Sequence, residues 1–246
     1  MRRMWWMWIL VFLLGFGAGK GTRAIQEPQT GQLPEFSVPA TAPLEPTVAE
    51  DTVKPSGEET GLPCAFRYTS LVARQLAIYD GPSLEDGIEV TLEGTAALEL
   101  ENTGTVGMEY VQIVLTQNGQ ELRFEATYIP PRAKVLIVEA NRTPYSDAPV
   151  ENCRCRTVIP GSFDWSKGVI EIEERDVGSL AVTNLTDQPI SCTRVFYKQH
   201  DGYGDIYIGG ITYSAVLTDL MPGETRVITP YRYACGYSAV VAVVTE

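Results

Sequence analysis

The chain has 246 residues, 44 % of them hydrophobic, with 31 Asp and Glu against 19 Lys and Arg, one His and a formal net charge of −12. Non-specific nucleic-acid binding needs Lys and Arg to neutralise phosphates, so this balance excludes it. The apolar content is too high for a wholly disordered chain and the length allows one or two domains with cores; one His and five Cys are too few for most His-rich metal centres and His-based triads.

Arg2 and Arg3 form a positive n-region ahead of an uninterrupted apolar run, Met4 to Gly19, that includes Trp5, Trp6, Trp8, Phe12 and Leu14. This pattern predicts an export signal and an extracytoplasmic protein, either secreted or anchored to the membrane by this N-terminal segment alone. The run is shorter than the roughly 20 residues that span a bilayer, which favours a cleaved signal peptide. Gly17 and Gly19, or Thr22 and Ala24, fit the −3 and −1 positions of a cleavage site. The tryptophans suit the membrane interface, so an uncleaved anchor helix over residues 1–24 stays open.

Residues 25–63 carry Pro28, Pro34, Pro39, Pro43, Pro46, Pro55 and Pro63 among Gly, Thr, Ser and acids, with Lys54 the only base after Gln26. No apolar face recurs at a period of 2 or 3.6, so the segment cannot bury enough surface to offset its ordering entropy. It reads as a disordered, acidic, extended linker.

A repeat follows. Shifting the chain by 82 residues aligns Ile88–Leu115 with Ile170–Tyr197 without gaps. Ile88, Val90 and Leu92 match Ile170, Ile172 and Glu174; Leu98, Leu100 and Asn102 match Leu180, Val182 and Asn184; Val111, Ile113 and Leu115 match Thr193, Val195 and Tyr197. Each run alternates, as strands with one buried face do. After a nine-residue insertion in the second copy, Ile129-Pro130-Pro131 lines up with Leu220-Met221-Pro222, and Val135 to Val138 with Arg226 to Ile228. Asn118-Gly119, Asp201-Gly202 and Pro222-Gly223 mark turns. Ala65–Tyr79 supplies a further extended element, although Leu71, Val72, Gln75, Leu76 and Tyr79 would also suit a short helix. The alternation without a long helix predicts an all-β chain of tandem β-sandwiches, at 64–160 and 161–246, with the boundary near Pro160 to Gly168.

Asn184-Leu185-Thr186-Asp187, Val195-Phe196-Tyr197-Lys198 and Leu220-Met221-Pro222-Gly223-Glu224 resemble the immunoglobulin-like modules called FxLYD. The second unit, with Gly209-Gly210-Ile211-Thr212-Tyr213 and Gly236 to Val241, is similar to secreted proteins of Gram-positive anaerobes. The resemblance implies two tandem immunoglobulin-like sandwiches and brings no catalytic residues. Pro131-Arg132 departs from it by replacing Pro-Gly, which leaves the turn of the first unit open.

Export makes disulfides an expectation. Cys192 and Cys235 are a candidate pair, although strand phase places Cys192 on the outer face with Arg194. Cys153 and Cys155 point the same way on an alternating strand, and one of them is a candidate partner for Cys64. A remote alternative is thiol exchange at Cys153 and Cys155, with Arg154 and Arg156 lowering a thiol pKa. Paired Cys-x-x-Cys knuckles and calcium-loop ligand density are absent from the sequence, so no metal or cofactor is expected. His200 reads as a hairpin-tip residue, Glu171 and Glu173 as a solvent face, and Asn184 as a turn residue.

The chemistry thus points away from an enzyme. Tyr203, Tyr207, Tyr213, Tyr231, Tyr233 and Tyr237 crowd into the second unit and suggest a contact surface. The leading expectation is a binding or adhesion module for a protein or a cell-envelope component. The alternative is an architectural spacer or subunit of a surface complex. A binding module requires a contiguous exposed aromatic patch, whereas a spacer requires mostly buried tyrosines.

Overall fold

A computed structural model describes residues 61–161, 168–175, 178–202 and 206–246. The predicted signal or anchor at 1–24, nearly all of the predicted linker, and Tyr203 lie outside these residues. Among the described residues there are strands and turns and no α-helix.

The first unit contains β1 (Cys64–Ala65), β2 (Leu71–Pro82), β3 (Thr91–Asn102), β4 (Gly107–Gln117), β5 (Gln120–Ile129), β6 (Lys134–Val138) and β7 (Val150–Gly161). One layer runs β1-β2-β3-β6 and the other β5-β4-β7. Alternate residues of both layers meet in one core, where Leu98, Leu100, Ile113, Leu115, Phe124 and Ile137 are fully buried. The element that would also have suited a helix is a strand: β2 pairs antiparallel with β3 over most of its length.

The second unit contains β8 (Ile170–Glu174), β9 (Leu180–Asn184), β10 (Ile190–His200), β11 (Tyr207–Leu220), β12 (Thr225–Ile228) and β13 (Ser238–Thr245). Its layers run β12-β9-β8 and β11-β10-β13, around a core that includes Leu180, Val182, Val195, Tyr197, Tyr213 and Leu217. Both units are consistent with β-sandwiches.

The repeat extends to register. Met108 faces Ile129 in β4–β5 as Ile190 faces Leu220 in β10–β11. Glu101 faces Lys134 in β3–β6 as Thr183 faces Thr225 in β9–β12. Equivalent positions even share left-handed backbone: Tyr128 (φ 49°) with Asp219 (φ 53°), and Arg132 (φ 56°) with Gly223 (φ 69°). The turn left open at Pro131-Arg132 therefore has the handedness of Pro222-Gly223, with an arginine where glycine sits without strain. One third of the sequence alignment needs correcting. Ile170 and Ile172 belong to β8, which pairs with β9 as β2 pairs with β3, with Ile170 opposite Asn184 and Leu71 opposite Asn102. Ile88 and Val90 precede β3 and have no strand role.

The layers are not separate between units. Tyr207 and Ile208 of β11 pair in parallel with Val135 and Leu136 of β6, so a seven-stranded sheet, β1-β2-β3-β6-β11-β10-β13, runs through both. Both units fall within one compact body.

Candidate functional site

The junction is built by the insertion that distinguishes the second copy. In the first unit the β4–β5 hairpin closes at Asn118-Gly119, both left-handed as a type I′ turn requires. The β10–β11 hairpin continues past Tyr197–Tyr213, bulges, and resumes at Gln199–Ile208 and His200–Tyr207. The bulge pushes Gly209 and Gly210 against the first unit. A Cβ on Gly209 (φ 93°) would lie 2.0 Å from the Leu84 carbonyl oxygen, and one on Gly210 2.0 Å from that of Glu125. Only glycine fits either place.

Lys198 fills the space beneath them. Arg194, Phe196 and Lys198 share the outer face of β10, yet Arg194 is exposed, Phe196 half-buried and Lys198 only 2 % exposed, because the first unit covers that end of the face. The Lys198 Nζ donates to the carbonyls of Gly209 (3.0 Å) and Gly210 (2.5 Å). Glu85 Oε1 accepts the Gly210 amide at 2.5 Å. Burial pushes Lys198 down to about 7 against the opposing pull of Glu85, and burial also raises the Glu85 carboxyl.

Further polar contacts surround this pair. Thr212 takes Thr127 Oγ1 on its amide at 2.9 Å and donates its hydroxyl to the Thr127 carbonyl at 2.8 Å. Arg232 Nη1 donates to the Ser83 carbonyl (2.7 Å), and the Tyr231 hydroxyl to Glu89 (2.5 Å). The Tyr128 and Phe196 rings stack with centroids 4.2 Å apart. A small pocket of about 160 Å³ opens beside the junction, lined by Glu85, Glu125, Glu139, Arg142, Ile88 and Val138 among others. Its carboxylates already have partners: Glu139 accepts the amides of Arg123, Asn141 and Thr143, and Glu125 accepts Gln112 Nε2. The arrangement is suited to holding two units together, with Glu85, Glu139 and Lys198 engaged on backbone groups.

No family model, curated protein or solved structure matches this chain.

The predicted tyrosine surface divides. Tyr213 and Tyr233 are buried, at 1 % and 6 %, and cannot contribute to a surface. With Tyr197 and Tyr231 they form a ladder of rings whose successive centroids, from Tyr233 through Tyr197 and Tyr213 to Tyr231, lie 5.4, 5.6 and 6.1 Å apart. The Tyr197 hydroxyl donates to the Tyr231 carbonyl at 2.6 Å and that of Tyr233 to Glu174. Tyr207 is half-buried, leaving Tyr231 and Tyr237 as the exposed members among those described. A cross-strand core thus accounts for Tyr213 and Tyr233, while Tyr231 and Tyr237 stay exposed.

None of the five cysteines is in a disulfide bond in this structure. Cys192 and Cys235 cannot bridge: Cys192 lies at the end of β10 that meets Glu246, whereas Cys235 precedes Ser238, which pairs with Gln199 at the other end. A rise of about 3.3 Å per residue puts on the order of 20 Å between them. Cys235 instead donates to Glu174 Oε2 at 2.8 Å, which raises its pKa. The surroundings of Cys153 and Cys155 run against the low thiol pKa that the exchange reading expected. Arg154 points to the opposite face, paired with Glu121, so it does not stabilise a thiolate. Burial pushes Cys155 up to about 11, and a hydrogen bond with Cys64 raises Cys153 further.

His200 Nδ1 accepts the Gly202 amide at 3.1 Å, a hairpin-tip contact. Glu171 and Glu173 are exposed. Asn184 is fully buried: its Nδ2 donates to the carbonyls of Gln188 (2.8 Å) and Leu220 (3.0 Å), and Asn102 repeats this with Val106 (2.8 Å) and Pro130 (3.1 Å). Lys198, Glu85 and the two-glycine bulge were not singled out as a site from sequence. The one signal was the insertion itself, carrying Gly209-Gly210.

Proposed function

We propose that this chain is an exported, non-enzymatic protein of two tandem immunoglobulin-like sandwiches, acting as an architectural spacer or subunit of a surface complex at the end of an acidic, proline-rich linker. The observation that carries this reading is the junction. A spacer must keep its ends apart, and here a parallel strand pair, a buried lysine on two glycine carbonyls and a threonine pair join the units where a flexible hinge would otherwise lie. The burial of Tyr197, Tyr213 and Tyr233 supports the same choice over a tyrosine-rich binding face. One observation favours partner binding as a second reading: Val216, Arg194 and Val244 lie side by side across β11, β10 and β13, with both valines exposed.

Two measurements test the proposal. Spin labels on non-natural residues at 120 and 218, one in each unit, should give a single narrow distance distribution in the full chain. A broad distribution would remove the spacer reading. Fractionation and protease accessibility of intact cells should place residues 64–246 outside the cytoplasm; retention inside would overturn export.

A further inference from the structure

The side of the first unit remote from the junction gathers three thiols. β5 lies against β6 and β11, so the facing layer β5-β4-β7 brings its other edge, β7, over the β2–β1 edge. Cys64 of β1 stands opposite Ala73, and Cys153 and Cys155 of β7 stand opposite Leu115 and Ile113, all three partners being fully buried core residues. All three thiols accordingly point inward and pack on the first core. Cys64 and Cys153 are close enough to share a hydrogen bond.

We infer that Cys64 and Cys153 are the two halves of an inter-sheet disulfide that closes this edge of the first unit. The inference rests on the exported reading for its oxidant, while its geometry stands without it. The oxidant is a small or enzyme-borne disulfide of an oxidising compartment. The Cys64 thiolate attacks it, releasing one thiolate and leaving a mixed disulfide on Cys64. Cys153 then loses its proton to solvent and attacks the Cys64 sulfur, expelling the second thiolate. Two S–H bonds are lost, one S–S bond forms inside the protein, and the oxidant leaves as two thiols. Cys155 is the poorer partner: its Sγ is turned to the Thr157 carbonyl at 3.5 Å, whereas Cys153 is the one that shares a hydrogen bond with Cys64.

The bridge has a mechanical consequence. β1 is two residues long and holds to β2 by the pairs Cys64–Ala73 and Ala65–Val72, so tension entering through the preceding chain falls on the weakest strand of the unit. A bond from Cys64 to Cys153 passes that tension to β7, which pairs with β4 along its length.

The test is made on the purified full chain, equilibrated with oxidised glutathione, alkylated and digested without reduction. Mass spectrometry should show a Cys64–Cys153 linked peptide and the loss of two of the five alkylatable cysteines. Cys64→Ser and Cys153→Ser should each abolish the linkage, while Cys155→Ser, Cys192→Ser and Cys235→Ser retain it. Because the wild-type digest needs no variant to fold, a Cys64–Cys155 peptide or no linked peptide there overturns the inference. The thiol state is also read in chain recovered from cells. A linked peptide found there supports both readings. A pair that links in glutathione but is recovered reduced from cells overturns export and leaves the site standing.

Discussion

Lys198 and the two buried asparagines show how a single polar side chain is settled inside this fold. Burial holds the Lys198 pKa at about 7, below the 10.5 it has when solvated. Protonation is therefore disfavoured in the folded chain, and the penalty is fully present below pH 7 and relieved as pH rises towards 10.5. Glu85, the acid facing it, has its pKa raised by burial, so its own penalty grows with pH above the usual carboxylate range. Wild type should thus gain stability relative to Lys198→Met by roughly a few kcal/mol between pH 7 and pH 10. Urea unfolding of both chains across that range checks this, and parallel curves would contradict it. Asn102 and Asn184 are the quieter case: each amide joins two carbonyls in its own unit, which explains why an Asn occupies the same place in both copies.

At the scale of elements, the turns before β6 and β12 compare two chemistries in one geometry. Both place a residue at positive φ, Arg132 in the first and Gly223 in the second. An L-residue in this region carries a steric cost that glycine avoids, partly offset by the greater freedom of an unfolded glycine. Arg132→Gly should therefore raise stability by about 0.5–1 kcal/mol, read as a higher urea midpoint with an unchanged slope. β2 shows a different lesson. Its Leu71, Val72, Gln75 and Leu76 also satisfy a helical spacing, and the strand wins because a neighbour, β3, offers a ladder of pairs from Leu71–Asn102 to Pro82–Thr91. Strand pairing is a long-range decision that local periodicity cannot make.

The whole molecule depends on one bulge. Gly210 sits where any side chain would strike the Glu125 carbonyl, and its amide and carbonyl are held by Glu85 and Lys198. Gly210→Ala must displace backbone from backbone, at a cost of about 1–3 kcal/mol. The loss should be local: faster hydrogen exchange at Tyr207 and Ile208, and a broadened 120–218 distance, with the β4–β5 hairpin still protected. Equal loss of protection in both units would mean that they unfold as one.

The sequence by itself determined most of the strands and the repetition of β3–β6 in β9–β12. Alternation at Leu98–Asn102 and Leu180–Asn184, the turn at Asn118-Gly119 and the nine-residue insertion are local signals, and the structure carries each into its place. The junction was decided only by tertiary structure. Glu85 and Gly210 are 125 residues apart, as no local pattern records, and Lys198 reads as one more outward strand residue until the first unit covers it. The same holds for the tyrosines: composition marks them as a cluster, but whether a ring faces water or another ring depends on which strands lie beside it. Burial is a property of what packs against a residue, and strand periodicity names a face without naming its neighbour.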